Sequence, residues 1–224
     1  MDTRRLLAAW AFPVALAVAS GVHANVVYTV SLNTSAISGA AGYSLAFSFQ
    51  DGSGIGDNNN TVTLSNFAFG GGSAGGFPVL SGGATGDINS SAALSDSVFS
   101  SLLVEGFTPG ASLSFNVDLT TNMDVGGTPD FFGFSLLLDS NPLPTQDDTL
   151  GDNLFYVNID SANPTPVAFA TAAGSPVALD APTFALAPPP GPVPEPGSLL
   201  LLTAGLAGLF VITRSALQRQ QSYR

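Results

Sequence analysis

Tyr43-Ser44-Leu45-Ala46-Phe47-Ser48-Phe49-Gln50 alternates apolar side chains with small or polar ones along its whole length. In an extended chain successive side chains point to opposite faces. Tyr43, Leu45, Phe47 and Phe49 therefore share one face, which must be covered, while Ser44, Ala46, Ser48 and Gln50 share the other. Wound into a helix, the same residues would scatter around its circumference. Ala111-Ser112-Leu113-Ser114-Phe115-Asn116-Val117-Asp118-Leu119 repeats the pattern, with Leu113, Phe115, Val117 and Leu119 on the apolar face. Two such half-apolar strands define an all-β chain whose sheets pack face to face.

Outward from these two segments, the same period predicts strands at 26–33, 61–69, 98–105, 131–139, 154–160, 166–171 and 183–187. In residues 61–69 the apolar phase slips from Val62 and Leu64 to Phe67 and Phe69, which predicts a bulge near Asn66. Residues 131–138 are apolar at almost every position, as in a central strand covered on both faces or one that crosses from one sheet to the other. Residues 51–60 and 141–153 read as turns. Residues 70–96 read as a longer, loose Gly/Ser/Ala run, with an edge strand at Phe77-Pro78-Val79-Leu80. No long segment before residue 198 has a helical period. Fourteen of the sixteen phenylalanines lie between residues 25 and 187, enough to fill one core. The expected architecture is an antiparallel β-sandwich of jelly-roll type.

The charge distribution excludes whole classes of function. The chain has 224 residues and a formal net charge of −11. Between Asn25 and Ala187 it carries thirteen aspartates, Glu105 and no cationic side chain. A cysteine nucleophile, a Ser-His-Asp triad, a Cys/His zinc site and a Schiff-base lysine are all impossible there. Nucleic-acid binding through a basic patch is excluded as well.

Both ends read as addresses. Residues 1–24 have the form of a secretory signal peptide: Arg4 and Arg5, an apolar run over 6–19, then Val22-His23-Ala24. Cleavage is expected between Ala24 and Asn25. At the other end, residues 188–197 form a proline-rich linker that can be neither helix nor central strand. An uncharged apolar run follows at 198–213 and reads as a single transmembrane helix, short of the roughly 20 residues of a comfortable span. Residues 214–224 are a basic tail, in which Arg214 and Arg219 assign that side to the cytoplasm. The ectodomain, 25–187, then lies outside.

Val193-Pro194-Glu195-Pro196, followed by this apolar run and its arginines, resembles the PEP-CTERM sorting signal of Gram-negative bacteria over about residues 193–219. The resemblance implies recognition by an exosortase, a membrane cysteine protease or transpeptidase. Val193, Pro194, Glu195 and Pro196 would be the processing site on a substrate rather than an active site. It also implies a precursor anchored in the inner membrane, then a cell-surface or extracellular-matrix protein associated with exopolysaccharide. The start of the ectodomain is loosely similar to uncharacterised PEP-CTERM ectodomains, a likeness that brings no activity with it.

Two loops have the chemistry of hard-cation ligands. Residues 51–60 supply Asp51 and Asp57 among glycines and asparagines, and residues 147–153 supply Asp147, Asp148 and Asp152. Calcium takes six to eight oxygens, and short Asp/Asn/Gly loops suit it. The same composition suits an ordinary polar hairpin loop, and neither loop is an EF-hand. No other cofactor is indicated. Glu105, read as the end of a strand beside Gly106, would need a second carboxylate such as Asp118, Asp124, Asp130 or Asp139 to hydrolyse a glycoside. Between residues 25 and 187 there is no tryptophan, and the only tyrosines are Tyr28, Tyr43 and Tyr156. No enzyme is expected. Two readings remain: a structural surface or matrix protein, or a surface module that binds a glycan, with or without calcium, or ice.

Overall fold

The structure is a computed structural model. It describes residues 25–123, 127–147 and 151–187. The chain divides into two units, Met1–Ala187 and Pro188–Arg224. The expected signal peptide with Ala24, the proline linker, Val193, Pro194, Glu195, Pro196, the apolar run, Arg214, Arg219, Asp124 and Asp148 lie outside the described residues.

Thirteen strands make up the described domain: β1 (Asn25–Asn33), β2 (Tyr43–Gln50), β3 (Thr61–Ala68), β4 (Ser73–Ser81), β5 (Gly83–Gly86), β6 (Ser91–Ser95), β7 (Ser100–Thr108), β8 (Ser112–Thr120), β9 (Asp130–Leu138), β10 (Asn141–Pro142), β11 (Phe155–Ile159), β12 (Val167–Ala168) and β13 (Thr183–Leu186). The first sheet has the order β13-β1-β8-β3-β6-β5, and the second β12-β11-β9-β2-β7-β4, with β10 paired to β9. Every pairing is antiparallel. From β1 to β4, and again from β6 to β9, successive strands alternate between the sheets, so the connections arch over the core.

The inward faces supply that core. β2 buries Tyr43, Leu45, Phe47 and Phe49, and β8 buries Leu113, Phe115, Val117 and Leu119, the faces that alternation assigns. Phe47 lies 5.0 Å from Phe134 of its own sheet and 5.4 Å from Phe115 across the gap, measured between ring centroids. Phe155 meets Phe184 of β13 at 5.1 Å, again across the gap. Each phenylalanine buried in this way contributes on the order of 2–3 kcal/mol of transfer free energy, and the edge-to-face pairs add to it.

The predicted bulge is present. The register of β3 on β8 shifts between Ser65 and Ala68, and Asn66 has φ +55°. The extra residue turns Phe67 inward, where its ring reaches Phe47 and Phe115. Strand β9 lies between β2 and β11, and six of its nine residues are buried.

Residues 70–96 are not loose. They form β4, β5 and β6, with β4 at the edge of the second sheet and β5 at the edge of the first. In β5 and β6 the apolar residues are alanines and Leu94, so the alternation has too little contrast to read, yet Ala84, Ala92 and Leu94 are buried. The chain passes from one sheet to the other at Gly82, φ +64°, where a Cβ would collide with the Ser100 carbonyl.

Candidate functional site

The 51–60 loop is organised by one carboxylate. Asp51, directly after β2, is 2% exposed. Its Oδ1 accepts the Ser53 N–H at 2.9 Å, and its Oδ2 accepts the Ser53 hydroxyl at 2.8 Å and the Gly56 N–H at 2.6 Å. Burial pushes this carboxyl up, but the donors from Gly56, Ser53 and Ile55 outweigh it and hold Asp51 below the usual aspartate range. Gly56 is required: a Cβ there would stand 2.6 Å from the Ser97 carbonyl oxygen. Asp57 is exposed and accepts the Asn59 N–H and side-chain amide at 3.2 and 3.0 Å. Of the two predicted ligands, one staples the loop from inside and the other caps its surface.

The fold adds two acids to this end of the sandwich that the sequence pattern did not single out together. Asn60 is the link. Its N–H donates to Asp96 Oδ2 and its side-chain amide to Asp130 Oδ2, both at 2.8 Å. Its side-chain oxygen accepts from Asn122 N–H at 2.8 Å and from the Thr120 hydroxyl at 3.1 Å. Asp130 also accepts the Gly52 N–H at 2.7 Å. Asp96 is fully buried, and its Oδ1 has no hydrogen-bond partner. Burial, only partly offset by the Asn60 N–H, pushes it up to about 7, and Asp130 and Asp57 push in the same direction. Register β3–β6, with Thr61 opposite Ser95, brings Asn60 beside Asp96. No local motif could have shown it.

The second loop behaves like the first. Asp147 is buried and accepts the Asn153 side-chain amide at 3.1 Å. Asp152, at φ +59°, accepts the Thr145 N–H at 3.1 Å. Among the described residues no group of three or more Asp, Glu, His or Cys side chains is placed to hold a metal ion. No helix among them is long and apolar enough to cross a membrane.

Glu105 is not at a strand end. It is the sixth of nine residues in β7, points into the sandwich and is 1% exposed. One oxygen accepts the Ile88 N–H at 2.9 Å, and the other has no hydrogen-bond partner. Burial raises its affinity for a proton, against the Ile88 N–H and with a smaller push from Asp87. Its predicted terminal position followed from ending the strand at 105, before Gly106, whereas β7 runs from Ser100 to Thr108.

Compared with known proteins, the chain matches no curated protein and no solved structure. A family model does match at the C-terminal end: residues 192–215 fit the PEP-CTERM protein-sorting motif. The match spans the proline-flanked Glu195, the apolar run and Arg214. The C-terminal end thus carries a PEP-CTERM protein-sorting motif, which supports an exported, exosortase-processed protein with a membrane-anchored precursor.

Proposed function

We propose that this protein is a structural component of the cell surface or the exopolysaccharide matrix, delivered there after exosortase removes its tail. The observation that carries the reading is the sorting-motif match at residues 192–215, joined to a described β domain ending at Ala187. The strand orders β1-β8-β3-β6 and β2-β7-β4 support a jelly-roll description, with β9 to β13 extending it. A non-catalytic role is supported by Glu105, whose carboxyl lies inside the sandwich, away from any substrate.

The test is processing. In a strain with active exosortase, intact mass of the surface protein should lack the residues beyond the Pro194-Glu195-Pro196 region. Replacing Glu195 and its flanking prolines should leave a full-length, membrane-bound form. A surface protein that still carries Arg224 would overturn the reading. Protease protection on spheroplasts gives the topology, with the domain expected outside.

A second reading, a surface module that binds a glycan, is favoured by the outer face of the first sheet. There Thr29, Asn116 and Ser65 stand in one register row, and Val27, Asp118 and Thr63 in the next. Such a row of short hydroxyl and amide groups offers hydrogen bonds to a polyol surface. Glycan-array binding with and without calcium separates this reading from a purely structural one.

A further inference from the structure

We infer that the outer face of the second sheet carries a subsite for a neutral saccharide, with Phe131 and Tyr156 as its stacking surface and Gln50 and Asn158 as its hydrogen-bonding amides. The inference rests on the reading that the protein contacts a glycan, and it names a site for that contact.

The inward residues of β9 and β11, namely Phe132, Phe134, Phe155 and Val157, fill the core. Phe131 and Tyr156 therefore face the other way, and both are half-buried. Their centroids are 5.5 Å apart with the planes tilted by 33°. Phe169 continues the row at 5.8 Å from Tyr156, tilted by 32°. The three adjoining rings form a row of partly exposed aromatic side chains.

Gly133 makes room for the first ring. A Cβ at that position would come within 3.0 Å of Phe131 Cε1 and 2.6 Å of Asn153 Oδ1. Phe131 thus lies across the strand over a notch that any other residue would fill. In register, Gln50 of β2, Phe131 of β9 and Asn158 of β11 form one row. Neighbouring strands are about 4.8 Å apart, so an amide stands on each side of the ring, one strand spacing away. Among the described residues, neither amide side chain is hydrogen-bonded within the protein. A hollow of about 360 Å³ opens here, lined by Gln50, Thr128, Pro129, Phe131 and Asn158. That volume is in the range of small-molecule sites.

The chemistry selects the ligand class. Ring faces carry negative quadrupole density and attract the weakly positive C–H faces of a sugar ring. Carboxamides both donate and accept, as sugar hydroxyls do. Among the described residues no charged side chain lines the hollow. The rest of the domain is acidic, so its field repels an anionic polymer such as a polyuronate and leaves a neutral one unaffected. The absence of tryptophan between residues 25 and 187 argues against a stacking site in the sequence alone. The fold offsets this by exposing a phenylalanine beside Tyr156, the one tyrosine among the described residues that is not buried.

The test is titration calorimetry on the full-length protein, held in a detergent without a sugar headgroup. The probes are cellohexaose, xylohexaose and hexagalacturonate. At least one neutral hexasaccharide should bind, and hexagalacturonate should bind about tenfold more weakly or not at all. Tyr156→Ala should weaken binding about tenfold, while Tyr156→Phe keeps most of it. The double variant Gln50→Ala/Asn158→Ala removes only exposed or half-buried amides, leaves the core untouched and should weaken binding to a similar degree. Unchanged affinity in both Tyr156→Ala and the double variant overturns the site while leaving glycan contact standing. Equal affinity for hexagalacturonate overturns the neutral-ligand assignment. No binding of any probe by the wild type overturns the site. Co-sedimentation of the wild type with native exopolysaccharide then shows separately whether the matrix reading fails too.

Discussion

The turn after β2 and the end of β6 each bury one aspartate beside the same loop, and they hold their carboxylates in opposite ways. Asp51 receives two N–H groups and a hydroxyl and is held below the usual range. Asp96 receives one N–H, has an unpartnered oxygen, and is pushed up to about 7. Both are almost fully hidden from solvent, but Asp96 is the more heavily desolvated and has the fewer donors, and each N–H or O–H aimed at a carboxylate replaces part of the lost hydration. In a domain without a single cation, this is the main means of keeping a buried acid charged.

The sharpest way to break that comparison is to remove the better-solvated acid. Asp51→Ala leaves the Ser53 and Gly56 donors without their acceptor, and stability should fall by about 3 kcal/mol. Urea unfolding measures it, and a loss under about 1 kcal/mol would mean the staple is dispensable.

The second test uses pH. Asp96 has a raised folded value, so its contribution is fully present below the unfolded value near 4 and is lost as pH rises through about 7. Asp51 has a lowered folded value, so its contribution is present above the unfolded value and is lost as pH falls through the folded one. Together they place the stability maximum at about pH 4, with a decline from there to about pH 7. Asp96→Asn keeps an acceptor for the Asn60 N–H and removes the charge. It should gain about 2 kcal/mol at pH 8 and little at pH 5. Thermal melts across that range measure the difference, and an unchanged pH profile would sink the assignment.

A smaller effect is expected at Glu105, raised in the same direction and likewise short of donors. Glu105→Gln should stabilise the domain by about 1 kcal/mol at pH 8, with the Ile88 contact retained. The smallest effect concerns metal. Both oxygens of Asp51 are already occupied by internal donors. Calcium and magnesium at matched ionic strength should therefore shift the melting temperature equally, within roughly 1 °C. A larger calcium increment, lost when Asp51, Asp57, Asp147, Asp148 and Asp152 are changed to Asn, would establish a site.

What the sequence made legible follows from contrast. Tyr43–Gln50 and residues 111–119 alternate large apolar with small polar side chains, and their buried faces were readable one residue at a time. The bulge at Asn66 was readable because a phase slip in a regular pattern is itself a signal. β5 and β6 were not, because alanine and glycine differ too little from serine to show a face. The Asn60–Asp96–Asp130 network was hidden for another reason. Its members are 36 and 70 positions apart, and only strand register joins them. The same holds for the row Gln50, Phe131 and Asn158. Phe131 read as one more core residue in an apolar run, and only the pleat shows that it points outward.

The pairing of β1 with β13 has a kinetic consequence. Tyr28 lies opposite Leu186, and Ser31 opposite Thr183, so the first strand is completed by the last. A chain that crosses a membrane from its N-terminus presents β1 long before β13 emerges. Until then β1 has only β8 as a neighbour, itself more than eighty residues downstream. Closing loops of that length before any contact rewards them makes folding slow, and it leaves strand edges open in the meantime. The fourteen acidic groups repel other copies of the chain during that interval. The charge that burdens the folded sandwich also keeps its unfinished form from aggregating.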